Sequence, residues 1–277
     1  MPEGDTIFRS ARALNRALAG GIIRRFETAY AHLTRVDDDK KLVGRTVERV
    51  EARGKWLLMY FSRDLILVTH MRMNGSWHLY RTGERWRRPQ RDMRIVIETA
   101  DWSAVGFTVP FAEFHSAASL LRKTMIPALG LDLLKQDFDF AGVVAAMQKH
   151  ADEPIADVLL NQRVMAGIGN IYKSETCFIC GVNPFRPVLT LDQSQLEQLV
   201  FTARKFLTLN VAEDANGEIS TYAGLRRTTH TSDHTARLWV YGRCGEPCRR
   251  CGTPIEMRKQ GTGARTTFWC PVCQPMQ

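Results

Sequence analysis

The chain has 277 residues, enough for two domains or one large one, each with a real core. Its hydrophobic fraction, 44%, is that of a soluble globular protein, and no run approaches the roughly 18 apolar residues of a membrane span. A net charge of +9 favours a polyanionic partner, most simply nucleic acid, over an acidic one. Nine basic against three acidic residues after Gly224 concentrate that charge in the last fifth of the chain.

In chain order, Asp5 or Thr6 is placed to cap a helix over 7–18, where Ile7, Phe8, Ala11, Leu14 and Leu18 recur at helical spacing before Gly20-Gly21. From 22 to about 114 the texture is β. Strands are expected at 22–30, 42–50, 55–61, 65–70, 76–80, 94–99 and 102–109, a spacing typical of a sandwich or barrel. After Pro110 the pattern turns helical, with helices expected at 117–124, 138–150, 154–163, 171–180 and 193–209. Pro154 suits a first helical turn, and Asp192 with Gln195 reads as a capping box. The stretch 214–227, rich in Gly, Thr, Ser and Arg, reads as a mobile loop before a final module. The domain boundary falls near 112–130.

Four places carry chemistry. The chain opens Met1-Pro2-Glu3-Gly4; removal of Met1 would leave Pro2 as a free secondary amine, able to attack an electrophilic carbon, with Glu3 beside it to move protons. Absence of a basic segment followed by an apolar run points to the cytoplasm. Lys55, after Arg53-Gly54, opens a strand and reads either as a solvated lysine or as a phosphate or proton-transfer group. The turn His70 to Gly75 sets Arg72 beside Met73, a pair that either enters a base stack as a wedge or is simply a core methionine next to a surface arginine. The segment 161–175 joins two helices through Gly167 and Gly169; Asn170 and Lys173 at the second helix start are candidates to grip a phosphate.

Cysteine usage points to metal rather than to disulfides. Cys248-x₂-Cys251 and Cys270-x₂-Cys273, 18 residues apart, fit one structural zinc ion with all four positions filled. Cys244 is a weaker competitor, and Cys177 and Cys180 read as two buried helix cysteines. Arg249, Arg250, Arg258, Lys259 and Arg265 make the module basic, with Arg265 at the tip of a β-hairpin where it reaches a groove or a phosphate.

Taken together, Met1-Pro2-Glu3-Gly4, Arg53-Gly54-Lys55, the 161–175 turn and the ending from Tyr241 to Gln274 resemble the formamidopyrimidine-DNA glycosylase / endonuclease VIII family over essentially the whole chain. The resemblance implies an α+β fold with an N-terminal two-layer β-sandwich (1–116), a helical helix–two-turn–helix domain (117–227) and a zinc hairpin (239–277). It implies a bifunctional DNA glycosylase and AP lyase acting as a monomer on damaged double-stranded and abasic-site DNA. The Pro2 amine would attack C1′ of a flipped-out nucleotide, Glu3 would act as the acid, and β,δ-elimination would follow. It assigns Lys55 to base release and elimination, Arg265 to the lesion phosphate, Asn170 to a second phosphate contact, and Arg72 and Met73 to filling the void. Arg122 aligns with a further DNA contact. Thr6 stands where many members carry Glu, and Val105–Pro110 lacks the Arg-x-Phe pair of the oxidised-purine branch. With Gly4-Asp5-Thr6 this favours the endonuclease VIII type, specific for oxidised pyrimidines, although Met73 is a purine-branch residue. The alternatives are an oxidised-purine glycosylase, a non-catalytic damaged-DNA-binding zinc protein, and a zinc-ribbon transcription or RNA factor; the last leaves the N-terminal motif and the 161–175 turn without a role.

Overall fold

The computed structural model describes residues 2–123, 126–211, 227–229 and 237–276. They form two compact units, one up to Ala128 and one from Leu129 on. The loop expected at 214–227 lies outside the described residues apart from Arg227.

The first unit begins with α1 (Gly4–Leu18), three residues earlier than the periodicity suggests, because Glu3 rather than Asp5 or Thr6 occupies the cap position. Ile7, Ala11, Leu14 and Leu18 form its buried stripe. Gly20, at φ +81°, turns the chain out of the helix and donates its N–H to the Val47 carbonyl, 2.8 Å away. The strand expected over 22–30 is shorter, β1 (Arg25–Thr28), and a helix no pattern announces follows, α2 (Ala31–Lys40). Leu33 is its single buried residue, so it shows no apolar period. Its last turn is held from outside. The buried Arg45 guanidinium donates to the carbonyls of Lys40 (2.7 Å) and Lys41 (2.9 Å), and to those of Arg63 (3.1 Å) and Ser62.

Next come β2 (Val47–Arg53), β3 (Trp56–Phe61), β4 (Leu65–His70), β5 (Ser76–Arg81), β6 (Met93–Glu98), β7 (Trp102–Phe107) and β8 (Phe111–His115). The region 42–46 is turn rather than strand, and Phe111–His115 is a strand although it follows Pro110. Two antiparallel sheets, in the orders β2-β3-β4-β8 and β1-β6-β7-β5, face each other as a sandwich. Leu57, Met59, Leu65 and Leu67 from one sheet meet Trp77, Ile95, Ile97 and Ala104 from the other, and α1 adds Ile7, Leu14 and Leu18. The short helix α3 (Ala117–Lys123) donates its first N–H, that of Ala117, to Asp64 Oδ1, 2.8 Å away.

In the second unit, β9 (Leu131–Asp132) precedes α4 (Phe140–Gln148), capped by Asp139, and α5 (Ile155–Leu160), with Pro154 at its cap position. A parallel partner of β9, β10 (Met165–Ala166), leads into α6 (Asn170–Ile179) and α7 (Gln193–Val211). The capping box on α7 forms as read: Gln195 N–H to Asp192 Oδ1 is 2.8 Å, and Asp192 N–H to Gln195 Oε1 is 3.1 Å. The unit ends in the antiparallel hairpin β11 (Glu256–Gln260) and β12 (Arg265–Trp269). The α+β class, sandwich, helices and hairpin match the reading of the sequence. No described helix is long and apolar enough to cross a membrane.

Candidate nucleic-acid interface and metal centre

Pro2 is half-buried and Glu3 fully buried, its backbone carbonyl accepting the first helical bond from Ile7 N–H at 3.1 Å. The carboxylate thus sits at the N-terminal, electropositive end of α1. The direction of α1 is set by its bonds to β2: Gly20 meets Val47, and Asn15 Oδ1 accepts from Val50 N–H at 2.7 Å. α1 thus runs antiparallel to β2, and its Pro2-Glu3 end points toward the end of β2 that carries the Gly54-Lys55 turn.

Lys55 is half-buried in that turn, where Gly54 adopts φ +57° to reverse the chain into β3. Trp56 pairs with His70 across β3 and β4, their rings 4.8 Å apart edge to face. His70 is held neutral: burial, then the Lys55 and Arg72 charges, lower its pKa to about 4. Its Nδ1 accepts the Arg72 N–H at 3.0 Å, so its ring proton sits on Nε2. This bond sets the 71–75 turn, in which Arg72 takes φ +46°. Met71 is fully buried while Met73 is 57% exposed, so the turn anchors one methionine and displays the other beside the exposed Arg72. Gly75 is obligatory, because a Cβ there would lie 2.7 Å from the Met71 carbonyl. Thr108 Oγ1 braces the turn through the Asn74 carbonyl at 2.7 Å. The link between β7 and β8 that contains Thr108 is only three residues long and carries no arginine. Arg122 lies exposed on α3.

His78, on β5, also has its pKa lowered to about 4, by burial first and then by Arg88 and Arg87. Both folded-state values lie below the ~6.5 of an unfolded histidine. Above pH 7 neither state is protonated and the histidines contribute nothing. As pH falls through 6.5 the unfolded chain gains protons that the folded chain refuses. Stability then declines progressively toward pH 4, by roughly 2–3 kcal/mol from His70 and by less from His78, whose larger solvent exposure screens its neighbours' charges. Thermal melts between pH 7 and pH 4 should show this decline, and it should be smaller in His78→Gln.

In the second unit, Gln162 braces the 161–169 turn, accepting Gly167 N–H at 3.1 Å and donating to the carbonyls of Leu160 (2.9 Å) and Ile168 (3.0 Å). The start of α6 faces the hairpin. Asn170 Nδ2 donates to the Thr266 carbonyl at 2.7 Å and to Thr266 Oγ1 at 3.0 Å, while its buried Oδ1 has no hydrogen-bond partner among the described residues. The phosphate role expected for Lys173 does not fit: the residue is 1% exposed, and its ammonium donates to Thr267 Oγ1 at 2.7 Å and to the Thr266 carbonyl at 3.1 Å. It ties α6 to β12.

Glu175 is a structural anchor to which the sequence reading gave no role. It is fully buried, and its carboxylate accepts from the N–H groups of Trp239 (2.8 Å), Val240 (2.9 Å) and Tyr241 (2.9 Å) and from the Thr228 hydroxyl. Burial raises its pKa while the four donors oppose that rise. No signal in the sequence marks it, because an acidic residue on a helix reads as solvated until the burial of Asn170–Phe178 is seen.

The four expected ligand cysteines converge: the sulfurs of Cys248, Cys251, Cys270 and Cys273 lie within 4.8 Å of one another. Cys251 and Cys270 are 3.4 Å apart, and Cys248 and Cys273 3.9 Å. A tetrahedral zinc with Zn–S bonds of about 2.3 Å places sulfurs about 3.8 Å apart, so the set fits one structural Zn²⁺. Backbone N–H groups of Arg250 and Cys273 point at Cys248 and Cys270 sulfurs, each at 3.4 Å, as suits thiolates. Cys244 is exposed and outside the group. Cys177 is buried on α6 as expected, whereas Cys180 is half-buried at the C-cap just past the helix. Arg265, exposed, opens β12 opposite Gln260, and its side chain lies over Gly263 at the hairpin tip. Because metal and fold are coupled in such modules, a strong chelator should unfold the segment from Tyr241 on and lower affinity for DNA. Circular dichroism and gel shift on the chelated protein check this; a metal-free chain with full affinity would contradict it.

Family models match along the chain in the same order: the formamidopyrimidine-DNA glycosylase N-terminal domain over residues 1–110, its H2TH domain over 129–222, and the zinc finger found in FPG and IleRS over 245–275. A probable endonuclease 8 2 of Streptomyces coelicolor is 38% identical over 99% of this chain and 94% of its own length. The DNA-(apurinic or apyrimidinic site) lyase Nei2 of Mycolicibacterium smegmatis is also 38% identical, over 99% of both chains. Among solved structures, Lactococcus lactis Fpg in complex with DNA containing an abasic site superposes with a TM-score of 0.80 at 25% identity, covering 99% of this chain and all of that one.

Proposed function

The chain belongs to the formamidopyrimidine-DNA glycosylase / endonuclease VIII family, and from that premise we propose how it works. It is a bifunctional DNA glycosylase and AP lyase of base excision repair, of the endonuclease VIII type, that removes oxidised pyrimidines in the bacterial cytosol as a monomer. The observation that supports this reading is the antiparallel register of α1 on β2, held by Asn15 and Gly20, which directs Pro2 and Glu3 toward the end of the sandwich that carries Lys55.

With Met1 removed, the Pro2 nitrogen attacks C1′ of a nucleotide flipped out of damaged double-stranded DNA. The bond from C1′ to the ring oxygen opens as Glu3 delivers a proton to that oxygen, and the base departs with its electron pair and a proton. The resulting iminium acidifies C2′. Loss of that proton expels the 3′ phosphate, and a second elimination expels the 5′ phosphate. Lys55, half-buried beside neutral His70, serves base release and the first elimination, and Arg265 at the hairpin tip holds the lesion phosphate for the second. The N-terminus of α6, with Asn170, receives a neighbouring phosphate. Arg72 and Met73 enter the stack where the nucleotide has left, and Arg122 adds a backbone contact. The work divides among the sandwich (1–116), the helices (117–227) and the zinc hairpin (239–277). The short β7–β8 link, without an arginine to join Met73 in the duplex, supports the pyrimidine over the purine reading.

Borohydride trapping on matched duplexes tests the proposal. Adduct on abasic and thymine glycol strands is the expected result. Adduct mainly on 8-oxoguanine would keep the chemistry and move the enzyme to the purine branch. No adduct from protein with Pro2 exposed would leave a non-catalytic damage binder.

A further inference from the structure

The connection from β5 to β6 crosses the outer face of the β1-β6-β7-β5 sheet, the face turned away from the sandwich core. Residues 82–92 carry four arginines, Arg85, Arg87, Arg88 and Arg91, and follow Arg81 at the end of β5. Two points pin this strap down. Trp86 packs edge to face on Phe107 at 5.8 Å, over a small outer cluster of Tyr80, Met93, Val96 and Val105. Arg88 donates to Ser76 Oγ at 3.1 Å. Toward β1 the strap stands off the sheet and leaves a hollow of about 660 Å³. That lies within the roughly 300–1,000 Å³ of sites for small organic ligands.

Ser103, on β7, lines this hollow. It is 3% exposed, and its hydroxyl has no hydrogen-bond partner among the described residues. A buried hydroxyl left unpaired costs about 1–3 kcal/mol in general, which is why such groups signal a missing partner. Around it stand the guanidinium groups of Arg25, Arg85 and Arg88 and the indole of Trp86. Two carboxylates also line the hollow, and both are engaged: Glu84 accepts the Arg81 N–H at 3.0 Å, and Glu98 lies 3.8 Å from Arg25. Arg88 is 3.7 Å from Asp92. Arg25 pairs with Glu27 as well, so exposed Arg85, in no ion pair among the described residues, is the guanidinium open to a phosphate above the unsatisfied Ser103 hydroxyl; the Trp86 ring offers a surface for a planar base.

We propose that this hollow is a second ligand site, one that takes a nucleoside monophosphate, either free or as the phosphorylated end of a DNA strand. The phosphate sits between Arg85 and Arg88 over the Ser103 hydroxyl, and the base lies against Trp86. The site uses none of the residues assigned to excision, so it stands or falls separately from that reading.

Calorimetric titration of the full zinc-loaded chain with deoxycytidine monophosphate tests it. One binding site is expected, with deoxycytidine and inorganic phosphate each at least about ten-fold weaker. Ser103→Ala and Arg85→Ala should each weaken the nucleotide about ten-fold while borohydride trapping on abasic DNA stays unchanged. Arg85 is exposed, so its variant reads out the site even if Ser103→Ala disturbs β7. Trinucleotides phosphorylated at the 5′ or the 3′ end identify the source: binding as tight as the mononucleotide assigns the site to a strand end, and failure to bind assigns it to free nucleotide. Absence of nucleotide binding at millimolar concentration, equal binding of inorganic phosphate, or undiminished binding in the Ser103→Ala/Arg85→Ala double variant would each overturn the proposal.

Discussion

Glu3→Gln is expected to slow release of thymine glycol by about 10²–10⁴-fold, the usual range for loss of a positioned proton donor. The amide keeps the size of the buried carboxyl, and the residue sits at a helix N-terminus whose first bond, from Ile7 N–H, uses the backbone and not the side chain. Affinity for abasic DNA should therefore stay within a few-fold of the parent, since the phosphate contacts we propose belong to other residues. Single-turnover excision beside a gel shift separates the two quantities. Parallel losses in both would show that Glu3 shapes the site rather than moving a proton. On a strand that already lacks its base, the variant should retain part of its lyase activity, because imine formation there needs no base to leave.

Glu175→Ala is expected to be the most damaging single change to the second unit. It strands three backbone N–H groups, of Trp239, Val240 and Tyr241, in a site without solvent, and leaves the Thr228 hydroxyl only its 3.3 Å contact with the Arg237 carbonyl. Each orphaned donor costs about 1–3 kcal/mol, so a loss on the order of 5 kcal/mol is reasonable. Glu175→Gln should fall between: its oxygen can still accept, but its NH₂ meets donors. Thermal unfolding and the rate of zinc release to a chelator check this, with the melting temperature falling and zinc release rising in the order parent, Gln, Ala. A Glu175→Ala chain that holds zinc as firmly as the parent would show that the hairpin is anchored elsewhere, by Lys173 and Asn170 on β12.

The contrast between Glu175 and Lys173 on one side and the cysteines on the other shows what a sequence can declare. Four cysteines in two tight pairs have few uses, and all four sulfurs gather as expected. A lysine at a helix start has many uses. Its meaning depended on which surface packs against α6, and nothing in 170–178 reveals that β12 covers it. The strands behave likewise. β4 was legible to the residue because its apolar run is bounded by turns, whereas β8 follows Pro110 with no comparable signal. α2 was invisible because Leu33 alone is buried, and an apolar period needs more than one member. The display turn lay between these extremes. Arg72 and Met73 were noticed, but the bond from Arg72 N–H to His70 and the buried Met71 that hold them belong to three dimensions. The strap over the outer sheet left only a run of arginines in the sequence, without a hint that Ser103 lay beneath.

Arg45 has a use at the bench. Its guanidinium is buried yet meets no carboxylate within ion-pair distance among the described residues; the carbonyl dipoles of Lys40, Lys41, Ser62 and Arg63 hold it. Dissolved ions screen charge–charge attraction over about 8–10 Å at ordinary ionic strength, but reach a short dipolar cage sealed from solvent far less. Binding to a polyanion behaves in the opposite way, weakening steeply as counterions compete for phosphate contacts. The clamp on α2 should thus be indifferent to sodium chloride across the range in which grip on DNA collapses. A salt titration of this chain accordingly reports on its electrostatic footprint on the duplex, with the sandwich as a constant background.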